Sequence, residues 1–419
     1  MLISFSVSNY RSIKNKATLS FIGNGTNDNT QYPGYFERGK ERVLKGIGIF
    51  GANASGKTNV LKGLEALVRT VTHTANITPE KELSWIVPFA FSKTSVNEPT
   101  SFEIVFEDKG IRYRYGLKAT KKKIVEESLY FSPKGRNILL FERKRTDEIH
   151  FHNAYINEND ARLIKERNLP NKPIVTFGAQ FNMPVLSNVF VFLANKIFFT
   201  SGVNDAFEPG IGSAITNHPD YRKFLVSLLR AADLSIDDID VERERMRLPI
   251  PKKFDPNSPG NTEFELAEQE VSHLKTKHVS SGETYSLGAE DESLGTKKVM
   301  AHSGPLFDAL NNGAVLVFDE FGSSLHPDVS KFLLSLFFNP ETNSTGAQIL
   351  FDTQETSLLN EMLLRRDEIY MTEKDSESDS TSLFPLSDFS VRKSENIERG
   401  FIGGRYVKAP DIDEGEISL

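Results

Sequence analysis

One segment of the chain has the residue types and the spacing of a phosphate-binding loop. Residues 51–58 read Gly51-Ala52-Asn53-Ala54-Ser55-Gly56-Lys57-Thr58, a complete match to the pattern G-x-x-x-x-G-K-[ST]. In such a loop the glycines let backbone N–H groups close round a β-phosphate, Lys57 reaches the β- and γ-phosphates, and Thr58 supplies a hydroxyl for Mg²⁺. The pattern predicts a nucleotide site, and the competing interpretation is a structural glycine turn.

A second segment places two carboxylates at the end of an apolar run. Residues 315–318 are Val-Leu-Val-Phe, and Asp319 and Glu320 follow directly. If a metal ion neutralises one carboxylate while the other stays basic, Asp319 can bind the Mg²⁺ shell and Glu320 can polarise an attacking water. Many apolar strands end in acids, so this pattern gains its meaning from the phosphate loop upstream. Together the two segments predict hydrolysis of a nucleoside triphosphate.

The elements that must position these residues are readable from the apolar spacing. Residues 47–50 predict a short strand that runs into the loop, and Val60, Leu61, Leu64, Leu67 and Val68 fall on one face of a helix that follows it. Three more apolar strands, over 315–318, 348–351 and 368–371, alternate with helices in the last third of the chain. This alternation is typical of an α/β fold.

The remaining chain predicts antiparallel strands and a helical region. Apolar and polar residues alternate over residues 3–7 and 17–21, and again on both sides of Asp108-Lys109-Gly110, which indicates two pairs of antiparallel strands. Apolar residues from 221 to 232 have helical spacing. The prolines that follow predict a loop, after which residues 264–278 predict a strand pair; these prolines are Pro249, Pro251, Pro256 and Pro259.

Composition and charge narrow the class of protein. The 419 residues contain 38% hydrophobic and 26% charged residues, which is typical of a folded protein. The absence of Cys excludes disulfides, thiolate catalysis and Cys-ligated zinc, and the eight His form no zinc motif. A net charge of −7 argues against a DNA coat, although the basic runs 121–123 and 143–145 leave contact with nucleic acid open. With no signal peptide and no membrane span predicted, the expected location is the cytoplasm.

Further motifs carry a resemblance to a known family. Glu292-Ser293-Leu294-Gly295-Thr296 precedes Asp319, Ser323-Ser324-Leu325-His326-Pro327 follows Glu320, and a predicted strand ends at Asp352-Thr353-Gln354. With these motifs the chain resembles the ABC-type ATPases, and within them the SMC and RecF-like group. The resemblance implies that Ser293 and Gly295 belong to the signature motif, residues 324–326 to the D-loop and Gln354 to the switch position. It also implies that Arg11, in the opening Asn9-Tyr10-Arg11-Ser12, lies near the nucleotide.

Two departures from the family pattern bear on the activity. Leu294 and Thr296 stand where transporters have Gly and Gln, although an S-x-G-T form is common in the RecF-like group. Gln354 stands where the switch position usually has His; an amide can orient a water or contact a γ-phosphate, but it carries no proton at neutral pH. Slow hydrolysis that acts as a timer or latch is therefore expected.

Within this group the chain resembles the AAA-type ATPases of bacterial phage-defence operons, the kind found in the PARIS system, as AriA, and among RloA and AbiL-type proteins. The shared traits are the opening 9–12 motif, the loop through Asn59, Pro88-Phe89, Tyr113-x-Tyr115-Gly116, the 292–296 motif and Gly404-Arg405-Tyr406. The resemblance implies that Mg²⁺ is held by Thr58 and Asp319 and that Glu320 and Gln354 act in catalysis. It implies that ATP is bound by Gly51, Asn53, Ala54, Ser55, Gly56, Lys57, Thr58 and Asn59, with Arg11, Ser293 and Gly295.

The predicted fold is a P-loop NTPase core, similar to that of ABC ATPases, with an N-terminal antiparallel side sheet that cradles adenine and an α+β insertion. Residues 1–70 and 281–419 are predicted to form the two halves of the core, and residues 71–280 the insertion. In proteins that this chain resembles, two subunits sandwich ATP between the phosphate loop of one and the signature of the other. The resemblance therefore implies a homodimer closed by ATP, with a higher homo-oligomer left open.

Three functional hypotheses follow. The leading one is an ATP-dependent sensor or scaffold in antiviral defence that responds to a phage-derived trigger and controls a separately encoded effector, a nuclease or toxin. The alternative is a RecF/SMC-like DNA-repair ATPase, which would hydrolyse ATP faster when DNA is present and would bind DNA with a clear salt dependence. A third is an assembly protein gated by nucleotide, with negligible hydrolysis, which Gln354 suggests.

Overall fold

The structure is a computed structural model, and it describes residues 1–25, 30–133, 135–145, 148–201, 207–251, 264–360, 362–390 and 395–408. Its contacts divide the chain into two units. Unit 1 comprises Met1–Ser201, Asp308–Ser323 and Pro327–Leu419, and unit 2 comprises Gly202–Phe307 and Ser324–His326. The division into two halves of an ATPase core, residues 1–70 and 281–419, with residues 71–280 as an insertion, stays a prediction.

The strands and helices are numbered in chain order. The strands are β1 (Leu2–Ser8), β2 (Ala17–Ser20), β3 (Tyr35–Arg38), β4 (Glu41–Leu44), β5 (Gly46–Gly51), β6 (Thr100–Asp108), β7 (Ile111–Ala119), β8 (Ile124–Ser132), β9 (Ile138–Lys144), β10 (Glu148–Phe151), β11 (Ile197–Ser201), β12 (Asp238–Pro251), β13 (Phe264–Ser280), β14 (Glu283–Gly288), β15 (Val315–Asp319), β16 (Gln348–Asp352), β17 (Ile369–Lys374) and β18 (Thr381–Pro385). The helices are α1 (Lys57–Thr72), α2 (Glu158–Arg167), α3 (Ile174–Gln180), α4 (Pro184–Asn195), α5 (Phe207–Asn217), α6 (Pro219–Ala231), α7 (Leu294–Asn312), α8 (Pro327–Phe338) and α9 (Ile397–Ile402).

A parallel sheet forms the centre of unit 1. Its strand order is β11-β15-β16-β5-β17-β18, and β18 runs antiparallel to its neighbour β17. Every residue of β5 and of β16 is buried, which explains why these strands read as continuous apolar runs in the sequence. All four strands predicted around the two chemical motifs are present. The predicted α/β P-loop fold is therefore confirmed.

Helix α1 follows the loop and packs on this sheet. The apolar stripe predicted from the sequence, Val60, Leu61, Leu64, Leu67 and Val68, is buried along the helix. Burial of that stripe fixes the helix, and with it the direction in which the first turn presents Lys57 and Thr58.

An antiparallel sheet in the order β10-β9-β8-β7-β6-β1-β2 forms the second layer of unit 1. The predicted N-terminal pair is present, with Phe5 opposite Leu19, and the predicted hairpin has Phe106 opposite Tyr113. The other edge of β1 pairs with β6, where Phe5 lies opposite Ile104. The N-terminal strands and the hairpins predicted for the insertion thus share one sheet, a long-range pairing that the sequence pattern does not reveal.

Unit 2 corrects two predictions about residues 249–280. Pro249 and Pro251 lie in strand β12 instead of a loop, and residues 264–278 form one long strand, β13, instead of a strand pair. The strand order is β12-β13-β14, so β12 lies at an edge, where the missing N–H groups of proline can face away from the ladder. Pro256 and Pro259 lie outside the described residues. The predicted helix near 221–232 is confirmed as α6.

Within the described residues, no single helix is long and apolar enough to span a membrane. The consecutive helices α3 and α4 have the length and composition of a span only when taken as a pair, and they are bent by 106° at their break.

Candidate nucleotide site

The predicted phosphate loop links the buried end of β5 to the first turn of α1. Gly56 precedes the helix with φ 99°, a left-handed conformation that glycine adopts without strain. A Cβ atom built on Gly56 would lie 2.1 Å from Oγ1 of Thr381 and 2.8 Å from Oγ of Ser12. Both the backbone conformation and the surrounding space therefore require glycine at this position.

Hydroxyl groups from distant parts of the chain hold the loop in place. Ser55 Oγ lies 2.7 Å from Thr372 Oγ1, on β17, and Thr381 Oγ1 donates to the carbonyl oxygen of Ser55 at 2.9 Å. Ser12 Oγ lies 2.7 Å from Thr381 Oγ1 and accepts a hydrogen bond from Asn59 Nδ2 at 2.8 Å. Thr372 and Thr381 are supporting residues that sequence reasoning missed, since no local pattern connects them to the loop. Ser12 lies in the opening motif 9–12, but the sequence assigned it no role of its own.

Lys57 is folded back onto the loop. Its Nζ atom donates to the carbonyl oxygens of Gly51 at 2.9 Å and Ala52 at 3.0 Å. Burial lowers the pKa of Lys57, while the nearby carboxylates of Asp352 and Glu320 act in the opposite direction. The amino group is therefore hydrogen-bonded within the loop in this arrangement. It must exchange these carbonyl oxygens for phosphate oxygens if a nucleotide binds.

Three acidic residues converge opposite the loop. Asp319 ends β15, Glu320 follows it in a left-handed conformation with φ 59°, and Asp352 ends the neighbouring strand β16. Asp352 Oδ1 accepts from the backbone N–H of Glu320 at 2.7 Å, and its Oδ2 accepts from Thr58 Oγ1 at 2.8 Å. Burial raises the pKa of Asp352 to about 7; the bond from Glu320 opposes this, and the charge of Asp319 adds to it.

These residues enclose a cavity of about 540 Å³ within unit 1. Nine of the residues that line it were predicted from the sequence: Asn53, Ala54, Gly56, Lys57, Thr58, Asn59, Asp319, Glu320 and Gln354. Lys62, Asp352 and Thr353 also line it. The structure thus brings the loop, the acidic pair and the switch glutamine, which are far apart in the chain, to one cavity.

Gly51 and Ser55 support the loop without lining the cavity. A Cβ atom at Gly51 would lie 2.4 Å from Thr372 Oγ1, and the Ser55 side chain is buried against the same threonine. Arg11 is not among the lining residues either: its backbone N–H donates to the carbonyl of Val87 at 2.8 Å, and its Nε donates to the hydroxyl of Tyr10 at 3.2 Å.

Ser293 and Gly295 belong to unit 2, where Ser293 caps helix α7. Its Oγ accepts a hydrogen bond from the backbone N–H of Thr296 at 3.1 Å, as the N-cap residue of a helix does. At Gly295 the nearest atom to a built Cβ is the carbonyl oxygen of Ser324, at 3.7 Å, so the local fold does not require glycine there. The two residues predicted from the signature thus lie at the start of a helix, where Ser293 is exposed and Gly295 is half-buried.

Three residues that line the cavity were not assigned from the sequence, namely Lys62, Asp352 and Thr353, and Asp352 is the acidic one. The signal for it was present, because residues 348–351 form an apolar strand that ends in an acid, as residues 315–318 do before Asp319. What the pattern could not indicate is that the two strands are neighbours, which places the two carboxylates side by side.

Comparison with known proteins identifies the family. Residues 47–360, which include the phosphate loop, both acidic strand ends and Gln354, match the family described as "AAA domain, putative AbiEii toxin, Type IV TA system". The chain belongs to this family of AAA-domain proteins. The match covers more than half of the chain and runs through both units.

The AAA-domain chain also has similar solved structures. A crystal structure of the SMC head bound to the C-winged helix domain of ScpA has a TM-score of 0.40 at 14% identity and covers 92% of this chain and 97% of that chain. The SMC head domain from Thermotoga maritima has the same TM-score and identity, with 92% and 98% covered. CbiO1 from Clostridium perfringens, part of the ABC transporter complex cbiONQ, has a TM-score of 0.29 at 10% identity, with 92% and 89% covered. No curated protein matches the chain significantly.

Proposed function

We propose that this protein is an ATPase that binds ATP in the cavity between the phosphate loop and the acidic strand ends. The observation that carries the proposal is the convergence of Lys57, Thr58, Asp319, Glu320 and Gln354 on one cavity. Backbone N–H groups of the loop and the N-terminus of α1 suit a phosphate chain. Membership of an AAA-domain family supports ATP as the nucleotide. Arg11 stays a prediction as a nucleotide contact.

The residues of the cavity fit a magnesium ion. Oδ1 of Asp319 is buried, and no described residue donates a hydrogen bond to it. Thr58 gives its hydroxyl hydrogen to Asp352, so the lone pairs of its oxygen remain for a metal. Thr58 and Asp319 would hold the ion, which when bound neutralises phosphate charge.

Hydrolysis is assigned to Glu320 and Gln354. Glu320 lies at the cavity beside Asp319, where its carboxylate can accept a proton from an attacking water. Gln354 can orient that water through its amide but cannot take up a proton. We therefore expect slow hydrolysis.

Turnover by a Glu320→Gln variant tests this assignment. The amide keeps the side-chain length but removes the base, so ADP formation should fall about 100-fold or more while ATP still binds. Glu341→Gln, at an exposed position, is the matched control. If wild type and Glu320→Gln turn over equally little ATP, the protein is instead an assembly protein gated by nucleotide.

We further propose that ATP closes a homodimer in which Ser293 and Gly295 of one subunit meet the nucleotide of the other. The capped start of α7 and the absence of a side chain at Gly295 support this role, because backbone N–H groups at a helix start can approach a phosphate closely when no side chain intervenes. Closure that depends on the γ-phosphate would make the dimer a switch.

The dimer would act as a sensor or scaffold that controls an effector, a nuclease or toxin, in bacterial antiviral defence. The description of the matched family, with its AbiEii toxin and toxin–antitoxin system, supports a partner of this kind. Co-expression with the protein encoded by the neighbouring gene tests it. We expect co-purification, and loss of phage protection with Lys57→Ala but not with the exposed Lys223→Ala.

If the two proteins fail to co-purify and Lys57→Ala leaves phage protection unchanged, the defence role is contradicted. Hydrolysis that rises with added DNA, together with salt-sensitive DNA binding, would favour the DNA-repair hypothesis.

A further inference from the structure

Asp352 is a buried carboxylate whose two oxygens are committed to two different parts of the candidate site. Its relative exposure is 1%. Oδ2 accepts the hydroxyl hydrogen of Thr58, in the phosphate loop segment, and Oδ1 accepts the backbone N–H of Glu320, after β15. The strand that it ends lies between β15 and β5, so Asp352 stands between the elements that carry the two motifs.

The Thr58 hydroxyl and the Glu320 backbone N–H are both donors, so the side chain at position 352 must offer each of them an acceptor. A carboxylate offers two acceptor oxygens, whereas an amide offers one oxygen and one NH₂ group. The Glu320 donor is a backbone N–H in a left-handed residue, so it cannot turn away, and the hydrogen bond holds that conformation. The Thr58 hydroxyl can rotate, and its bond to Asp352 decides which way its hydrogen points.

A purely structural role for this carboxylate is physically disfavoured. Asp352 is buried beside a second carboxylate, Asp319, and neither desolvation nor like charge favours that arrangement. Its hydrogen bonds go to the two groups whose orientation nucleotide chemistry would need, and the cavity that it lines is the nucleotide cavity.

We infer that Asp352 is a positioning residue for Mg²⁺–ATP, which turns the lone pairs of the Thr58 oxygen toward the metal position and fixes the backbone of Glu320. This inference rests on the proposed ATP site. Asp352 would act through Thr58 and Glu320. Its described hydrogen bonds reach neither the signature motif nor Gln354.

An Asp352→Asn variant separates the two halves of the role. Its one oxygen is expected to take the fixed Glu320 N–H, which leaves the NH₂ group to face Thr58 Oγ1. Thr58 then accepts instead of donating, and its hydrogen turns toward the metal position. With a fluorescent ATP analogue, affinity in EDTA should match wild type, while the gain in affinity on adding Mg²⁺ should fall about 10- to 100-fold.

A double-mutant cycle with Thr58→Val shows whether the effect passes through Thr58. Valine removes the hydroxyl, so adding Asp352→Asn to Thr58→Val should cause no further loss of Mg²⁺ dependence. If Asp352→Asn does not give folded protein, Asp352→Thr has the same expectation, because its hydroxyl can accept from Glu320 but leaves Thr58 without its acceptor.

The outcomes distinguish the inference from the proposed function. If wild type shows a gain with Mg²⁺ and Asp352→Asn shows the same gain, the positioning role is wrong and the ATP site stands. An equal loss of affinity with and without Mg²⁺, accompanied by a lower Tm, would reduce Asp352 to a structural residue and also overturn the inference. A wild-type protein that binds no nucleotide would overturn both.

Discussion

Lys57 lines the candidate site, but its amino group is bonded to the loop itself. Its amino group is bonded to Gly51 and Ala52 carbonyls, and burial already lowers its pKa. The carboxylates of Asp352 and Glu320 already oppose this shift, and phosphate oxygens would add negative charge in direct contact with the ammonium group, which favours its charged form. The exchange of partners is therefore favourable for Lys57 itself, and it also frees two carbonyls of the loop.

Removal of this charge should weaken ATP binding directly. Lys57→Ala deletes charge-assisted hydrogen bonds, each worth about 1.5–3 kcal/mol, so affinity for ATP should fall about 10- to 100-fold or more. Isothermal titration with ATP and Mg²⁺ measures this. Lys121→Ala, at an exposed hairpin end, is the control and should bind as wild type does. Equal affinity of Lys57→Ala and wild type would mean that the phosphates bind elsewhere.

Single residues of the site could be predicted where the chemistry is written in consecutive positions. The loop from Gly51 to Thr58 and the pair Asp319-Glu320 are local patterns. Most of the loop and both acidic residues line the cavity. Ser12, Thr372 and Thr381 support the loop from three distant segments, and each is an ordinary hydroxyl residue in its local sequence. Their role depends on strand neighbours, which no local pattern contains.

At the scale of elements, the turn between β5 and α1 combines two separate requirements for glycine. Gly56 has a left-handed φ of 99°, and a side chain there would also collide with Thr381. Gly110, in the hairpin between β6 and β7, has a similar φ of 76° but nothing within 4 Å of a built Cβ. Comparison of Gly56 with Gly110 therefore separates two costs of adding a side chain, that of the left-handed backbone conformation and that of the steric collision.

Alanine at these two positions should differ in effect. Gly110→Ala should lower the free energy of unfolding by about 1–2 kcal/mol, the cost of the left-handed conformation. Gly56→Ala should cost about 1–3 kcal/mol more, because the added methyl group is overpacked. Urea denaturation of both variants measures the difference. Equal destabilisation would show that the loop moves aside without cost.

Helix α7 has a buried histidine that makes stability depend on pH. His302 is 3% exposed, and burial, aided by the charge of Lys298, lowers its pKa to about 4. The unfolded chain binds this proton below about 6.5, whereas the folded chain does not until about pH 4. The contribution of His302 to the free energy of unfolding is therefore fully present above pH 6.5. It is lost as the pH falls toward 4, by about 1.4 kcal/mol per pH unit.

Replacement of this histidine should flatten the pH profile. His302→Gln should make the free energy of unfolding fall less steeply between pH 6.5 and 4, whatever its value at neutral pH. His218→Gln, at an exposed position, should keep the wild-type slope. Denaturation curves at a series of pH values test this, and identical slopes for wild type and His302→Gln would contradict it.

At the scale of the whole molecule, the fold class followed from the period of the apolar residues, but the assembly of the sheets did not. Continuous apolar runs predicted the buried parallel strands, and alternation predicted the antiparallel ones. The pairing of β1 with β6 joins segments about a hundred residues apart, and the edge position of β12 is what permits prolines within it. Such features depend on which strands become neighbours, and periodicity carries no information about partners.

The start of helix α7 is the surface through which we expect the proposed dimer to close. Leu294 is 55% exposed, and a Cβ atom at Gly295 would lie at an ordinary contact distance of 3.7 Å from its nearest neighbour. A side chain at Gly295 should therefore leave unit 2 folded while it blocks whatever approaches the start of α7. Gly295→Asp should keep the wild-type Tm and abolish dimer formation with ATP and Mg²⁺, since a carboxylate there repels phosphate. Glu320→Gln, which should retain ATP, should instead accumulate dimer.

Light scattering after size exclusion measures both variants. Gly210→Asp, at an exposed glycine of unit 2 with nothing within 4 Å of a built Cβ, adds the same charge elsewhere and should dimerise as wild type does. If Gly295→Asp still dimerises with ATP, the subunits meet through another surface. If wild type and Glu320→Gln both stay monomeric with ATP bound, nucleotide does not close a dimer, and control of an effector would have to act within one chain.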